Sequence, residues 1–219
     1  MVEIDVGRLE RGLRRHGVRG FVPAAARLGL RRLYSLEAHV WYELPLGENR
    51  PSRPLADGLE LVRGTVDDVP ALVGLWPMDR WSARRRMQDG ATLWLVREGE
   101  SIAFSCWIFE AWVPFRAAAG GKISLPAGTV ALDESATAES HRGRGVAPAA
   151  WAAIADRLPS GADRLVTPVD EENVPSRRAV EKVGFREFAR TVITRRLTTE
   201  LRVDSLGGDA SFLAEALTQ

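Results

Sequence analysis

A mixed α+β fold is what this sequence predicts, and three observations predict it. Short runs of alternating apolar residues recur between Tyr34 and Leu197, and stretches with helical apolar spacing separate them. Glycine, proline and acidic turn residues punctuate the joins. The strands in the first half of the main segment are linked by short turns and read as antiparallel. The main segment is a domain of about 140 residues, an ordinary size.

The elements follow in order. Residues 6–29 place Val6, Leu9, Leu13, Phe21, Val22, Ala25 and Leu28 among Arg8, Arg11, Arg14, Arg15 and Arg19, a basic amphipathic helix or helix pair. It reads as packed on the body with its arginines in water. An anionic membrane or a partner is the alternative. Tyr34, Leu36, Ala38, Val40, Tyr42 and Leu44 then share one face of a strand. Gly47–Gly58 reads as a linker, so residues 1–57 form an N-terminal extension.

The main domain covers 58–199. Leu59–Arg63 is a strand, and Thr65-Val66-Asp67-Asp68 resembles a capping box opening a helix with Val69, Leu72, Val73 and Trp76 on its apolar face. A short helix near Arg80–Met87 leads to strands Thr92–Arg97 and Ile102–Phe109, joined by Glu98-Gly99-Glu100-Ser101. A glycine-rich loop, Ala117–Lys122, precedes the strand Thr129–Thr137. The next helix carries Pro148 in its first turn and a buried stripe of Ala147, Trp151, Ile154 and Leu158. Arg164–Val169 is a strand, and Asn173 caps a helix that runs to about Val183 and stops at Gly184. Phe185–Leu197 is the last strand, and 200–219 is a tail with a helical pattern at Phe212–Leu217.

Composition narrows the function classes. The 219 residues are 45% hydrophobic and 27% charged with a net charge of +1, so no global field draws the chain to nucleic acid or membrane. One cysteine, Cys106, excludes an internal disulfide and fits a reducing compartment. No apolar run reaches membrane-spanning length and Met1-Val2-Glu3-Ile4-Asp5 lacks signal-peptide design, so the cytoplasm is the expected location. No His/Cys/Asp cluster has metal-ligand spacing, so no metal is expected.

His141-Arg142-Gly143-Arg144-Gly145-Val146-Ala147, between a strand and a helix, carries the chemistry. Glycines let the backbone turn and bring its N–H groups to a ligand, arginines make the surroundings positive, and the helix adds its dipole. That combination suits a pyrophosphate. A P-loop needs Gly-Lys-Ser/Thr, but Gly145 is followed by Val146-Ala147. A Rossmann turn needs a third glycine where Pro148 stands, and an early position in the domain.

Arg142-Gly143-Arg144-Gly145-Val146-Ala147 resembles the R/Q-x-x-G-x-G/A signature of the GNAT acyltransferase superfamily. Asn173, Ser176 and Glu181-Lys182-Val183-Gly184-Phe185 are similar to that family's next helix and its ending. The resemblance implies a mostly antiparallel sheet with a splayed parallel strand pair, and acetyl-CoA (or another acyl-CoA) as donor. It implies that Arg142, Gly143, Arg144, Gly145, Val146 and Ala147 bind the pyrophosphate. Asn173 and Ser176 would line the cofactor arm, Arg177 would meet a phosphate, and the amides of Ser135, Ala136 and Thr137 would polarise the thioester carbonyl. Pro168, lacking an N–H, fits a splay between 129–137 and 164–169, as it fits an ordinary strand end.

For the base, Asp133 and Glu134 are the carboxylates of the central strand. Alternation puts them on opposite faces, so at most one points into the site, and family phase favours Asp133, directly or through water. The alternative is a solvated or arginine-paired carboxylate. The family's tyrosine acid, four residues before Gly-Phe, is here Val180, a departure from the pattern. His141 reads as packing beside the phosphates or facing solvent rather than as a base, and Cys106 as a small core residue rather than a nucleophile. Trp76, Trp81, Trp107 and Trp112 fall in the helix pair and strand that border the acceptor groove in this fold, as lining of a bulky, flat or apolar acceptor pocket or as ordinary core.

The expected activity is therefore transfer of an acetyl group to an amine by direct attack on the thioester, the acceptor being a small amine, an amino sugar or a protein amine. The rivals are a longer acyl group delivered by CoA or by an acyl carrier protein docked on residues 6–29, and a non-catalytic CoA-binding module. A homodimer is among the expected assemblies, and nucleic acid is not an expected partner.

Overall fold

In chain order the elements are β1 (Ser35–Pro45), β2 (Leu59–Arg63), a 3-10 helix (Val66–Leu72), α1 (Arg80–Gln88), β3 (Thr92–Glu98), β4 (Ser101–Phe109), β5 (Trp112–Pro114) and β6 (Lys122–Ser124). Then come β7 (Thr129–Thr137), α2 (Val146–Ala155), β8 (Arg164–Asp170), α3 (Val174–Glu181), β9 (Arg186–Arg195), β10 (Thr199–Ser205) and α4 (Ser211–Glu215). This is a computed structural model, and it describes residues 35–47, 50–72, 75, 78–115, 117–195 and 199–215. The basic segment 6–29, Val73 and Trp76 lie outside the described residues.

The chain divides into two compact units, Met1–Glu37 with Ile193–Glu200 and Ala38–Val192 with Leu201–Gln219. The described parts of the first, 35–37, 193–195 and 199–200, are extended strand. The site described below lies in the second.

Eight strands form one sheet in the order β10-β9-β1-β8-β7-β4-β3-β2, and β5 and β6 form a separate hairpin. The strand expected in the N-terminal extension and the unanticipated β10 thus belong to the same sheet as the main segment's strands. β2–β3, β3–β4, β4–β7 and β1–β8 are antiparallel, whereas β7–β8 is parallel. The parallel pairing joins only Thr129–Ala131 to Arg164–Val166. Beyond it β7 stays with β4 and β8 stays with β1, so the two diverge. Pro168 stands in that diverging stretch, opposite Trp41 on β1.

Both faces of the sheet are covered. Val40, Tyr42, Leu44, Phe104, Cys106, Ile108 and Leu132 pack with Trp151 and Ile154 of α2. On the other face Trp41 lies near Phe115 and Phe212, with ring centroids 5.8 and 6.3 Å away, and donates its indole N–H to Thr191 at 3.1 Å. Alternation therefore predicts only half of β1: Trp41 is as buried as Tyr42, while Leu36 is 60% exposed.

Two helices differ from expectation for local reasons. The Thr65–Asp68 box forms, with the Thr65 N–H donating to the Asp68 carboxylate at 2.7 Å, but it opens a 3-10 helix. Pro70 inside that helix lacks the N–H that a continuing α-helix would use. α2 stops at Ala155, so Leu158 lies beyond it, and burial extends well past a single stripe to Val146, Pro148, Ala149 and Ala150.

Candidate active site

The divergence of β7 from β8 leaves backbone and side chains facing an open cleft of about 740 Å³. Its floor includes Ser135, Ala136 and Thr137 of β7. One wall is the turn into α2, with Arg142, Gly143, Gly145, Val146 and Ala147. The opposite wall is the start of α3, with Asn173 and Ser176. The structure thus brings together ten of the residues singled out in the sequence.

Gly143 and Gly145 both have φ near +76°, where side chains are disfavoured. Among the described residues, a Cβ at either would meet no atom within 4 Å. Successive backbone N–H groups in such a turn, ahead of a helix N-terminus, form an anion-binding concavity. At the other wall the Asn173 side chain accepts the Ser176 N–H at 3.2 Å and fixes the start of α3.

Glu98, at the end of β3, steadies the turn. One carboxylate oxygen meets His141 Nε2 at 3.0 Å and the other accepts from Arg144 at 3.3 Å, on either side of Gly143. These bonds hold the Glu98 carboxyl below its ordinary range. His141 is buried, only 5% exposed, and its Nδ1 meets the Ser140 hydroxyl at 2.9 Å. It thus braces the turn through Glu98 and also lines the cleft. Arg144 is spent on Glu98 and does not line the cleft.

Arg177 departs from expectation. Its guanidinium donates to the Tyr42 hydroxyl at 2.9 Å, to Glu187 at 2.7 Å and to the Glu171 carbonyl at 3.4 Å. It lies one residue past Ser176, rotated about 100° around α3, which turns it from the cleft toward β1 and β9. Burial, the largest influence, pushes the Tyr42 hydroxyl up to about 12. Val180 is 2% exposed in the core, and among the described residues no tyrosine lines the cleft.

β7 carries the second feature. Ser105 pairs with Ala136, but Trp107 pairs with Asp133, so Glu134 and Ser135 together oppose Cys106. This is a β-bulge, and Glu134 takes φ +52° to make it. Among the described residues it is the one non-glycine with positive φ. Opposition to Trp107 puts Asp133 on the sheet face away from α2, with Arg86 5.5 Å from the Trp107 ring centroid.

The bulge overturns the alternation argument for the two carboxylates. Arg86 of α1 holds Glu134 through both guanidinium nitrogens, and the charges of Glu134 and Arg86 both act on Asp133. The carboxylates share one neighbourhood. Burial, opposed by the Glu134 N–H that Asp133 accepts at 2.7 Å, raises the Asp133 carboxyl to about 7. Ser135, past the bulge, accepts the indole N–H of Trp151 at 3.2 Å on the α2 side.

Sequence reasoning missed three participants. Arg53, from the supposed linker, lines the cleft with Lys182 and donates to its carbonyl at 2.5 Å. Trp151 was read only as core. The bulge left no signal, because a glutamate is not a residue that announces positive φ.

Against known proteins, residues 67–186 match the family model of the Acetyltransferase (GNAT) domain, more than half of the chain. The chain belongs to the GNAT acetyltransferase family. Among solved structures, a GCN5-related N-acetyltransferase from Sphaerobacter thermophilus is 16% identical, with TM-score 0.54 over 86% of this chain and 59% of that one. A GNAT-family protein from Novosphingobium aromaticivorans is also 16% identical, with TM-score 0.51 over 74% of this chain and 66% of that one. This GNAT chain therefore spans less than two thirds of either structure's length, and at that identity they show the shared fold. No curated protein matches it in sequence. Among the described residues of this GNAT protein, no helix is long and apolar enough to cross a membrane.

Proposed function

We propose that the protein transfers an acetyl group from acetyl-CoA, or a related acyl-CoA, to an amine by direct attack on the thioester. The observation that carries this reading is the cleft at the β7–β8 divergence, lined by two positive-φ glycines ahead of a helix N-terminus. The residues fit the donor. Amides of Gly143, Gly145, Val146 and Ala147 suit a diphosphate, Arg142, Arg53 and Lys182 add positive charge, and the diverging β7 edge suits an amide-bearing arm. Bound there, acetyl-CoA would supply an activated acyl carbon and a thiolate leaving group.

The chain's residues supply the rest. Amides of Ser135–Thr137 next to the bulge are the donors for a developing oxyanion. Asp133 is the base that takes the proton from the acceptor ammonium, directly or through water, so that the neutral amine attacks the thioester carbon. Its carboxyl at about 7 matches that task near neutral pH. Glu134, held by Arg86, is a positioning residue. With Val180 in place of a tyrosine, the thiolate takes its proton from water or Ser176.

The test is release of free thiol from acetyl-CoA across an amine panel, comparing wild type with Asp133→Asn. Amine-dependent release that falls about 10²-fold or more in the variant supports the reading. Tight CoA binding without turnover for any amine would support the second reading, a non-catalytic CoA-binding module, which the buried Val180 favours.

A further inference from the structure

The outer face of α1 carries a surface that acyl transfer does not use. Its nine residues include Arg80, Arg84, Arg85 and Arg86. Arg86 turns in to Glu134, and Ala83 is the buried position. At about 100° per residue, Trp81, Arg84 and Arg85 share the opposite side and Arg80 lies at its edge, and all four are exposed. Trp81 is 68% exposed, with the Arg85 guanidinium 5.6 Å from its ring centroid. Among the described residues no carboxylate pairs with Arg80, Arg84 or Arg85.

This face works against the helix that bears it. Arg80 and Arg84 are like charges one turn apart, and Arg80 stands at the end where the helix dipole disfavours a cation. An exposed indole adds apolar surface in water. An acidic partner would offset all three costs, and arginine and tryptophan are the residues that anchor interfaces. Nucleic acid fits less well, since the patch is one helix wide and the chain's net charge is +1. The position also distinguishes acceptor from donor. Arg86 lies over Trp107, which alternates with Cys106 and Ile108, the residues that pack in the α2 core. α1 is thus on the face away from the glycine turn.

We propose that the Arg80–Trp81–Arg84–Arg85 face docks an acidic polypeptide, and that this polypeptide carries the acceptor amine. The acceptor half rests on the acyl-transfer reading above. A helix is about 10–12 Å across with its side chains and an extended chain rises about 3.3 Å per residue, which places the acidic residues roughly three to five positions from the reacting amine.

The experiment uses the full chain and matched peptides bearing one free amine. Glutamates, glutamines or lysines occupy the positions three to five residues away. Binding is read by fluorescence anisotropy, transfer by thiol release, and acetyl-CoA affinity by calorimetry. The expected result is KM and Kd about tenfold lower for the glutamate peptide than for the glutamine peptide at low salt, with the advantage gone near about 0.5 M salt. In Arg80→Gln/Arg84→Gln/Arg85→Gln the advantage disappears while acetyl-CoA affinity is unchanged.

Equal values for the glutamate and glutamine peptides, or a preference that survives the triple substitution, overturn the proposal. So does a single-stranded oligonucleotide that binds this face more tightly than the acidic peptide. Acid-selective binding without transfer to any peptide supports the docking face and overturns the acceptor assignment, and thiol release across the amine panel then decides the transfer reading by itself.

Discussion

Asp133 accepts the backbone N–H of Glu134 across 2.7 Å, the residue whose positive φ makes the bulge in β7. The contact draws the Asp133 carboxylate back along its own strand, beside the Glu134–Arg86 pair. Desolvation outweighs that hydrogen bond, and the carboxyl ends near 7. With acetyl-CoA and a good amine, kcat/KM should rise with pH through about 7 and then level off until the amine's own titration intervenes. Asp133→Asn should remove that rise and lower the plateau. A pH–rate profile of both proteins checks this.

The same shift makes a stability prediction. A carboxyl raised in the folded state binds more protons folded than unfolded between its ordinary range and about 7, so its contribution is lost as pH rises through that window. Asp133→Asn should therefore be more stable than wild type at pH 8, by a margin on the order of 1–4 kcal/mol. The margin should vanish below the ordinary aspartate range, near pH 3–4. Urea unfolding at the two pH values measures it.

Arg86 works in the opposite direction to burial. Its charge lowers the Asp133 carboxyl, and its grip on Glu134 offsets the charge that raises it. Arg86→Gln removes both effects and should move the apparent base pKa upward from about 7. The kcat/KM profile should shift to higher pH; an unmoved or lowered midpoint contradicts the assignment.

Glu98 braces the glycine turn from the far end of a hairpin. Glu98→Ala should raise KM for acetyl-CoA several-fold with little change in kcat, since the bonds it loses lie beside the donor site. Glu98→Gln keeps an acceptor for His141 and should recover part of the loss. A fall in kcat at unchanged KM would place Glu98 elsewhere in the mechanism.

The parts of this site that could be read in the sequence are those that rest on local chemistry. Thr129–Thr137 has the predicted bounds, because apolar residues at its start and turn residues before it determine them locally. Asn173 caps α3 because its side chain reaches an N–H three residues on. What stayed hidden depends on distant partners. Trp41 is buried by Phe115 and Phe212, Arg177 is turned by Tyr42 and Glu187, and Arg53 reaches the cleft from a proline-rich stretch without periodicity. The bulge is the sharpest case. One extra residue opposite Cys106 reverses the alternation on which the separation of Asp133 and Glu134 depended.

Titration calorimetry of the purified chain with acetyl-CoA addresses the central claim most directly. The account predicts saturable binding at one site, weakened at least about tenfold by Gly145→Glu, which puts a negative charge at a cleft-lining position and at a backbone angle a side chain disfavours. Absence of heat across a range of temperatures, or equal binding by wild type and Gly145→Glu, would contradict it.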